Sequence, residues 1–270
     1  MTPDPRLLAA LHGLAQQAMV DAPGLAVLGL CGAQGSGKST LIAALASDLE
    51  EQGTACAVLS LDDLYLGRSA RAELAHRCHP LFATRGVPGT HDVALGLATL
   101  DALVRGLPAP LPRFDKGRDE PLPMAQWPRA PAQTRLLLLE GWCLGASPQD
   151  PAALAEPVNT LERDEDPQGL WRGAVNRALA GSYAALFARI TRLALLAAPD
   201  WLVVQGWRDQ QEQALRDVAA PRAMTRAGIA RFVQHYERLT RHILTEMPGR
   251  ADLVVRLGPG REVLALESKS

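Results

Sequence analysis

The sequence predicts an α/β protein with a doubly wound, mainly parallel sheet. Short apolar runs typical of strands alternate along the chain with segments whose apolar residues recur at helical spacing. This alternation is typical of a parallel sheet that helices cover on both faces. The run from Arg135 to Glu140 is apolar without alternation, as expected of a central strand buried on both faces. The 270 residues show neither an internal repeat nor a clear linker, so we expect a single domain over 1–270.

Each helix and strand is predicted from its own pattern. The opening helix, within 1–22, places Leu7, Leu11, Leu14 and Ala18 on one side. The other predicted helices span 41–50, 93–105, 170–198, 207–218 and 225–247. The predicted strands span 24–31, 55–61, 135–140, 201–205, 253–257 and 262–266.

Two stretches, 107–133 and 145–168, are expected to be long loops. The first contains seven prolines, which exclude regular structure at that density. The second contains the charged run 162–166, which we interpret as a solvated surface. Long ordered loops inside compact domains are usually functional, so the first stretch is a candidate for the site.

Composition and charge exclude several classes of partner. A formal net charge of −1 argues against broad electrostatic binding to nucleic acid or to an anionic membrane. No window approaches the roughly 18 uninterrupted apolar residues of a membrane span, and no basic segment leads into an apolar one at the N-terminus. The four cysteines are scattered and form no C-x-x-C pair, as expected of reduced thiols. We therefore expect a soluble cytoplasmic protein without nucleic-acid or membrane partners.

A glycine-rich motif lies between the first predicted strand and the second helix. It matches G-x-x-x-x-G-K-[ST] and reads Gly32-Ala33-Gln34-Gly35-Ser36-Gly37-Lys38-Ser39-Thr40. Glycines let the backbone N–H groups of such a P-loop turn inward around phosphates, and the helix N-terminus adds its positive dipole end. Lys38 can reach the β- and γ-phosphates, and the Ser39 hydroxyl can hold Mg²⁺. The motif indicates a P-loop protein that binds a nucleoside triphosphate.

Other segments narrow the class of P-loop protein. The sequence contains neither the N-K-x-D segment that reads guanine nor the L-S-G-G-Q signature of ABC-type ATPases. Instead, Asp62, Asp63 and Tyr65 follow the second predicted strand, and loops at the carboxyl ends of parallel strands converge on one crevice. A carboxylate there can accept a proton from a hydroxyl or bind Mg²⁺ through water, although capping a following helix is an alternative.

At this point the chain resembles a known family. The segment 60–65, SLDDLY, looks like the S-x-D-x-[FL]-Y motif of the uridine kinase and phosphoribulokinase superfamily. Four narrower segments together resemble the D-glycerate 3-kinase family in its bacterial version: RGVPGTHD at 85–92, PRFDK at 112–116, EGWCLG at 140–145 and GWRDQQE at 206–212. The resemblance implies a nucleoside kinase-like P-loop fold and transfer of the ATP γ-phosphoryl to a hydroxyl of a small carboxylic acid, with D-glycerate giving 3-phosphoglycerate.

The resemblance also implies roles for individual residues. Asp62 stands where the superfamily has its catalytic base, with Lys38 and a magnesium ion on Ser39, Asp62 and Glu140, partly through water, neutralising the phosphates. Arg208 stands where related kinases carry a lid, here expected within 206–247, and an arginine there could close over the transferring phosphoryl. The candidate contacts of a small hydroxylated anionic substrate are Asp63, Tyr65, Arg85, His91, Arg113 and Lys116.

Several alternatives stay open at the level of sequence. Arg85, Arg113 and Lys116 can each be an ordinary surface charge, and Asp92 can simply complement the helix dipole. Arg238, Arg241 and His242 are expected on a solvated helix face. The acceptor could be another hydroxylated metabolite such as pantothenate or a nucleoside. A P-loop ATPase or regulator without an acceptor is the rival from another class.

Overall fold

The computed structural model describes residues 3–217 and 225–269. The helices are α1 Pro5–Asp21, α2 Lys38–Glu51, α3 Arg68–Arg77, α4 Val93–Val104, α5 Thr160–Glu165, α6 Leu170–Ala178, α7 Ala184–Phe187, α8 Trp201–Asp217 and α9 Arg226–Glu246. The strands are β1 Ala26–Gly32, β2 Cys56–Ser60, β3 Phe114–Asp115, β4 Glu120–Pro121, β5 Leu136–Gly141, β6 Arg192–Ala197, β7 Leu253–Leu257 and β8 Val263–Ser268.

Six strands form one sheet in the order β2-β5-β1-β6-β7-β8. All neighbours pair in parallel except β7 and β8, which form an antiparallel hairpin. Strands β1 and β5 are buried along their whole length, so their apolar residues are covered on both faces of the sheet. The predicted doubly wound, mainly parallel α/β fold is confirmed.

The strand order places the P-loop near the centre of the sheet. Gly32 ends β1 and Lys38 begins α2, so the loop leaves the carboxyl end of a strand that has neighbours on both sides. On one side β5 ends at Gly141, and β2 lies beyond it, ending at Ser60 with Asp62 and Asp63 in the 3₁₀ turn that follows. Parallel pairing therefore brings the P-loop, Glu140 and Asp62 to the same edge of the sheet.

The structure corrects the prediction of a long helix over 170–198 and a strand over 201–205. The helical part ends at Phe187, after a π-helical turn at Leu179–Tyr183, and β6 follows at Arg192–Ala197. The run LALLA in β6 is buried on both faces and has no period, and its residues also favour helices, so periodicity could not distinguish the two. Helix α8 begins at Trp201 because the Asp200 carboxylate accepts a hydrogen bond from Val203 N at 2.9 Å.

The two predicted loops contain short regular elements. Within 107–133 the two-residue strands β3 and β4 form a small ribbon, and within 145–168 lies the six-residue helix α5. Residues 218–224 of the predicted lid-like region, 206–247, lie outside the described residues. No helix of the described part has the length and apolar character needed to cross a membrane.

The charged run 162–166 is solvated at Arg163, Asp164 and Glu165, and the prediction was wrong for the two ends of the run. Glu162 and Asp166 are both 0% exposed. Glu162 accepts hydrogen bonds from Arg238 at 2.8 and 2.7 Å, so the solvated position expected for Arg238 on α9 was wrong as well. Asp166 pairs with the buried Arg172 at 3.1 Å. Each charge is buried only because a partner of opposite charge is buried with it.

Candidate active site

The P-loop backbone depends on glycine at two positions. Gly35 and Gly37 have φ angles of +81° and +92°, in the left-handed region that side chains disfavour. A Cβ atom on Gly35 would also lie 2.8 Å from Cβ of Trp207 on α8. The N-cap of α2 is Gly37, which has no side chain to bond the first N–H groups of the helix, so these groups can bind a ligand.

Polar side chains of the P-loop are buried around this N-terminus. Lys38 is 9% exposed, and its Nζ donates a hydrogen bond to the carbonyl of Ala33 at 3.2 Å. The buried Ser36 hydroxyl has no hydrogen-bond partner within the described part of the chain. Because an unpaired buried hydroxyl is costly, it points to a bound group that the loop is built to hold.

Ser39 and Glu140 join the P-loop to the neighbouring strand. The Ser39 hydroxyl donates a hydrogen bond to Glu140 Oε1 at 3.1 Å. Glu140 lies near the end of β5 and is buried. A hydroxyl and a carboxylate oxygen in contact are the kind of ligands that Mg²⁺ takes alongside phosphates and water.

A cavity of about 210 Å³ opens beside the P-loop at the carboxyl edge of the sheet. Its walls come from the P-loop, the ends of β2 and β5, the β3–β4 ribbon, and helices α8 and α9. The lining residues are Gln34, Gly35, Lys38, Ser39, Asp62, Tyr65, Arg85, Lys116, Glu140, Trp142, Arg208, Gln211, Phe232 and Tyr236.

Asp62 is the carboxylate that the cavity holds opposite the P-loop. Its Oδ1 accepts a hydrogen bond from the Tyr65 hydroxyl at 2.7 Å, and its Oδ2 accepts one from Lys116 Nζ at 2.6 Å. Burial raises the pKa of Asp62, but Lys116, the Tyr65 hydroxyl and Lys38 together outweigh burial and lower it below its ordinary value. Asp62 is therefore ionised at neutral pH and can accept a proton.

Three cations besides Lys38 line the cavity. Arg85 lies over the rings of Tyr65 and Phe114, with its guanidinium carbon 6.0 and 5.6 Å from their centroids. Lys116 is at the tip of the β3–β4 ribbon. Arg208, on α8, lies 5.5 Å from the ring centroid of Phe232 on α9. The cavity can therefore receive a strongly anionic ligand from several directions.

The remaining candidate substrate contacts are not among the residues that line the cavity. Arg113 pairs with Asp63 at 3.3 Å and donates to the carbonyl of Pro112. Burial raises the pKa of Asp63, against the opposing effect of Arg113. His91 is buried beneath Tyr65, with ring centroids 4.6 Å apart, and its Nδ1 lies 2.6 Å from the Tyr183 hydroxyl. These three side chains support the walls instead of facing the cavity.

Asp92 has a structural role at the start of α4. Asp92 is the N-cap of α4, and its carboxylate accepts a hydrogen bond from Leu95 N at 2.9 Å. Burial lowers the pKa of the neighbouring His91 to about 4, so this ring is neutral at pH 7.

Four lining residues were missed by the sequence reasoning: Trp142, Gln211, Phe232 and Tyr236. Trp142 lies two residues beyond Glu140, and its Nε1 donates to the carbonyl of Gly86 at 2.8 Å. Phe232 and Tyr236 belong to the apolar stripe of α9, which the sequence showed, but nothing local to that helix indicates what its stripe faces. Trp142, within the motif 140–145, and Gln211, within the motif 206–212, carried a usable signal.

A second cavity, of about 390 Å³, also borders the P-loop. Ser36, Gly37 and Thr40 line it, together with the start of α1 and the turn between β7 and β8. Arg261 in that turn donates from its Nε to the carbonyl of Gly35 at 2.5 Å. The two cavities thus meet at the P-loop. The smaller cavity is lined by Gln34, Gly35, Lys38 and Ser39, and the larger one by Ser36, Gly37 and Thr40.

Comparison with known proteins identifies the family. The chain is 36% identical over 225 residues to the uncharacterized kinase mug58 of Schizosaccharomyces pombe, covering 78% of each protein. It is 33% identical over 217 residues to the chloroplastic D-glycerate 3-kinase of Arabidopsis thaliana, covering 77% of this chain and 45% of that protein. The chain belongs to the family of the kinase mug58, and it is also similar to the D-glycerate 3-kinase of Arabidopsis thaliana.

Solved structures share the fold of this family member. The D-glycerate 3-kinase of Cryptococcus neoformans superposes with a TM-score of 0.81 at 24% identity, covering 98% of this chain and 100% of that one. The YGR205w protein superposes with a TM-score of 0.76 at 22% identity over 97% and 98% of the two chains. Residues 4–66 also match the family described as Methylmalonyl Co-A mutase-associated GTPase MeaB, and this stretch contains α1, the P-loop and β2.

Proposed function

We propose that the protein is an ATP-dependent kinase that transfers the γ-phosphoryl group to a hydroxyl of D-glycerate, giving 3-phosphoglycerate. One observation carries the proposal: a single cavity is lined by the P-loop lysine, an ionised carboxylate, and arginine and lysine side chains. That combination suits a phosphate donor and an anionic acceptor with a hydroxyl. The name of the Arabidopsis relative, a D-glycerate 3-kinase, supports the choice of acceptor.

The nucleotide would bridge the two cavities. Its phosphates would lie on the P-loop backbone and the N-terminus of α2, within reach of Lys38 and of the unpartnered Ser36 hydroxyl. Its base and ribose would occupy the larger cavity, between α1 and the turn that carries Arg261. The γ-phosphate would then enter the smaller cavity, where Asp62 lies.

Ser39 and Glu140 fit a magnesium ion. Their oxygens lie 3.1 Å apart beside Lys38, and Mg²⁺ is usually held by one or two protein oxygens, with water and phosphate completing its shell. When bound, the ion would neutralise charge on the β- and γ-phosphates. Glu140 would hold it through water, and Asp62, in the same cavity, would be a second water-mediated partner.

Asp62 would accept the proton of the acceptor hydroxyl. The hydroxyl oxygen forms a bond to the γ-phosphorus, the bond from phosphorus to the bridging oxygen of ADP breaks, and the proton passes to the Asp62 carboxylate. Since Lys116 and Tyr65 hold the pKa of Asp62 below its ordinary value, the carboxylate is a weak base. A loose transition state needs little deprotonation of the alcohol, so Asp62 contributes mainly by orienting the hydroxyl.

Arg85 and Lys116 would bind the acceptor carboxylate. Both line the cavity on the side of Asp62, and arginine matches a carboxylate because its planar fork can donate to both oxygens. Arg113, His91 and Asp63 would act only by supporting that wall.

Helices α8 and α9 would form the lid of this single kinase domain. Arg208 and Gln211 on α8 line the cavity together with Phe232 and Tyr236 on α9. An arginine in this position would stabilise charge on the transferring phosphoryl group as the site closes and excludes water.

The test is a measurement of ADP release with Mg-ATP and a panel of acceptors. The panel contains D-glycerate, L-glycerate, other hydroxy acids, pantothenate and nucleosides, and mass spectrometry checks each product for one added phosphate. We expect turnover with D-glycerate well above the other compounds. Turnover with a different acceptor would refute the choice of substrate, and ADP release independent of any acceptor would refute the kinase.

A further inference from the structure

The turn of the β3–β4 ribbon carries an acidic residue, Asp119, that has no role in the proposed reaction. Asp119 precedes β4, and its φ angle of +62° lies in the left-handed region that aspartate and asparagine tolerate better than most residues. Its N–H donates to the carbonyl of Asp115 at 2.7 Å, which closes the turn of the ribbon. Its carboxylate points away from the turn, toward two arginines.

The two Asp119 oxygens bind two different guanidinium groups. Oδ2 accepts a hydrogen bond from Arg71 Nη2 at 2.5 Å, and Oδ1 accepts one from Arg85 Nη1. The Arg71 side chain is 3% exposed and also donates to the carbonyls of Leu66 and Ala83, at 2.6 and 3.2 Å. Arg71 is thus fixed by three acceptors, and it fixes Asp119 in turn.

Arg85 is held at several points. Its backbone carbonyl accepts a hydrogen bond from the Tyr236 hydroxyl at 2.9 Å, and its guanidinium lies over the rings of Tyr65 and Phe114. Among the described residues, Asp119 is the carboxylate that pairs with its guanidinium. Within the described part of the chain, removing Asp119 would leave the guanidinium with its ring contacts, so it could turn in its own plane.

The charges of this cluster leave one positive charge for a ligand. A lone Arg85–Asp119 pair would be neutral and would offer an anion little attraction. Arg71 supplies a second positive charge from the buried side, so two guanidinium groups share one carboxylate. The carboxylate can therefore orient Arg85 without cancelling the charge that Arg85 presents to the cavity.

We propose that Asp119, backed by Arg71, is a positioning residue that aims the Arg85 guanidinium at the carboxylate of the acceptor. The proposal rests on the proposed function, because it takes the acceptor to be a hydroxy acid. It assigns Asp119 no contact with either substrate. Its effect is on the acceptor side of the cavity because it acts through Arg85, which lines the cavity, while Asp119 and Arg71 are not among the lining residues.

The test compares Asp119→Asn with wild type in steady-state kinetics. Asparagine retains the shape and tolerates the left-handed backbone, so the turn is kept. We expect the acceptor KM to rise about tenfold, the loss expected for one charge-assisted hydrogen bond that holds a binding group in place. The ATP KM and kcat are expected to stay within about twofold.

Two further variants separate positioning from a general change of charge or fold. Glu120→Gln removes one negative charge from the next residue, whose carboxylate bonds Arg68 instead of Arg85, and should leave the acceptor KM unchanged. In the Arg85→Ala background, Asp119→Asn should add less than about a twofold further rise, because residues that act through one another are not additive.

The outcomes distinguish this inference from the proposed function. If wild type turns over no hydroxy acid, the proposed function fails. If wild type turns over D-glycerate but Asp119→Asn leaves its KM unchanged, the positioning role is refuted. A lowered KM would also refute it, since it would mean that the extra positive charge matters more than the aim of Arg85. An additive effect in the Arg85→Ala background would show that Asp119 acts by another route.

Discussion

The hydrogen bond from Tyr65 to Asp62 should be visible in the pH dependence of the reaction. The phenol donates to Asp62 Oδ1 at 2.7 Å and helps to lower the pKa of that carboxyl group against the effect of burial. A base whose pKa is lowered remains ionised further into the acid range, and it loses activity as the pH falls through that pKa. The acid limb of kcat/KM for the acceptor should therefore lie below about pH 4 in wild type.

Tyr65→Phe removes the donor and keeps the ring that packs on His91 and Arg85. A hydrogen bond to an ionised group contributes about 1.5–3 kcal/mol, and 1.36 kcal/mol corresponds to one pKa unit. The Asp62 side chain is 28% exposed, so solvent weakens the bond and the lower end applies. We expect the acid limb to move upward by about one pH unit.

The assay is kcat/KM for the acceptor measured from pH 3 to 8 at saturating Mg-ATP. Tyr183→Phe is the matched control: it removes an equally buried phenol that bonds His91 instead of Asp62, and its acid limb should stay in place. If Tyr65→Phe lowers kcat/KM equally at every pH, the phenol does not hold the Asp62 carboxylate and the assignment of that base loses its support.

Two other predictions follow from groups that support the walls. Arg113→Ala should lower the free energy of unfolding by about 1–3 kcal/mol, because it leaves the partly buried carboxylate without its cationic partner. The acceptor KM should stay within about twofold. Urea unfolding measures the stability and steady-state kinetics measure the KM; a large rise of KM without a loss of stability would return Arg113 to the acceptor site. His91 and His235 are buried, with their pKa values lowered to about 4, so the unfolded chain binds more protons between pH 6.5 and 4. The free energy of unfolding should therefore decrease as the pH falls through that window, by about 1.5 kcal/mol per histidine between pH 6.5 and 5. Urea unfolding of His91→Phe should show a shallower pH dependence than wild type, and an identical slope would contradict the neutral buried state.

The fold was largely predictable because its signals are local. The motif 32–40 specifies a strand end, a loop and a helix start together, and the alternation of strands and helices specifies a parallel sheet. Strand β6 was predicted as part of a helix because its run of leucine and alanine is buried on both faces and has no period. The sequence of such a run fits a helix and a strand equally well.

The general pattern of the fold predicted the site where it lies at strand ends, and the resemblance to a kinase family added Arg85, Lys116 and Arg208, which also line the cavity. Lys38, Asp62 and Glu140 could be placed together, since parallel strands deliver their carboxyl ends to one edge. Arg113 and His91 resembled Arg85 in sequence context, and only the packing shows that Arg113 is turned toward Asp63 and that His91 is buried under Tyr65. The burial of Glu162 was missed for the same reason, because its partner Arg238 lies on α9, far away in sequence. Asp166 pairs with Arg172, only six residues further along the chain.

The most direct test of the account is the split between binding and turnover in Asp62→Asn. The variant keeps the size of the side chain and can still accept a hydrogen bond, but it cannot take the proton of the acceptor or balance the charge of Lys116. We expect kcat with D-glycerate to fall by about a hundredfold or more, while the Kd for Mg-ATP, measured by calorimetry, changes by less than about threefold. Loss of ATP binding in step with turnover would contradict the account, because Asp62 would then serve the nucleotide instead of the acceptor hydroxyl.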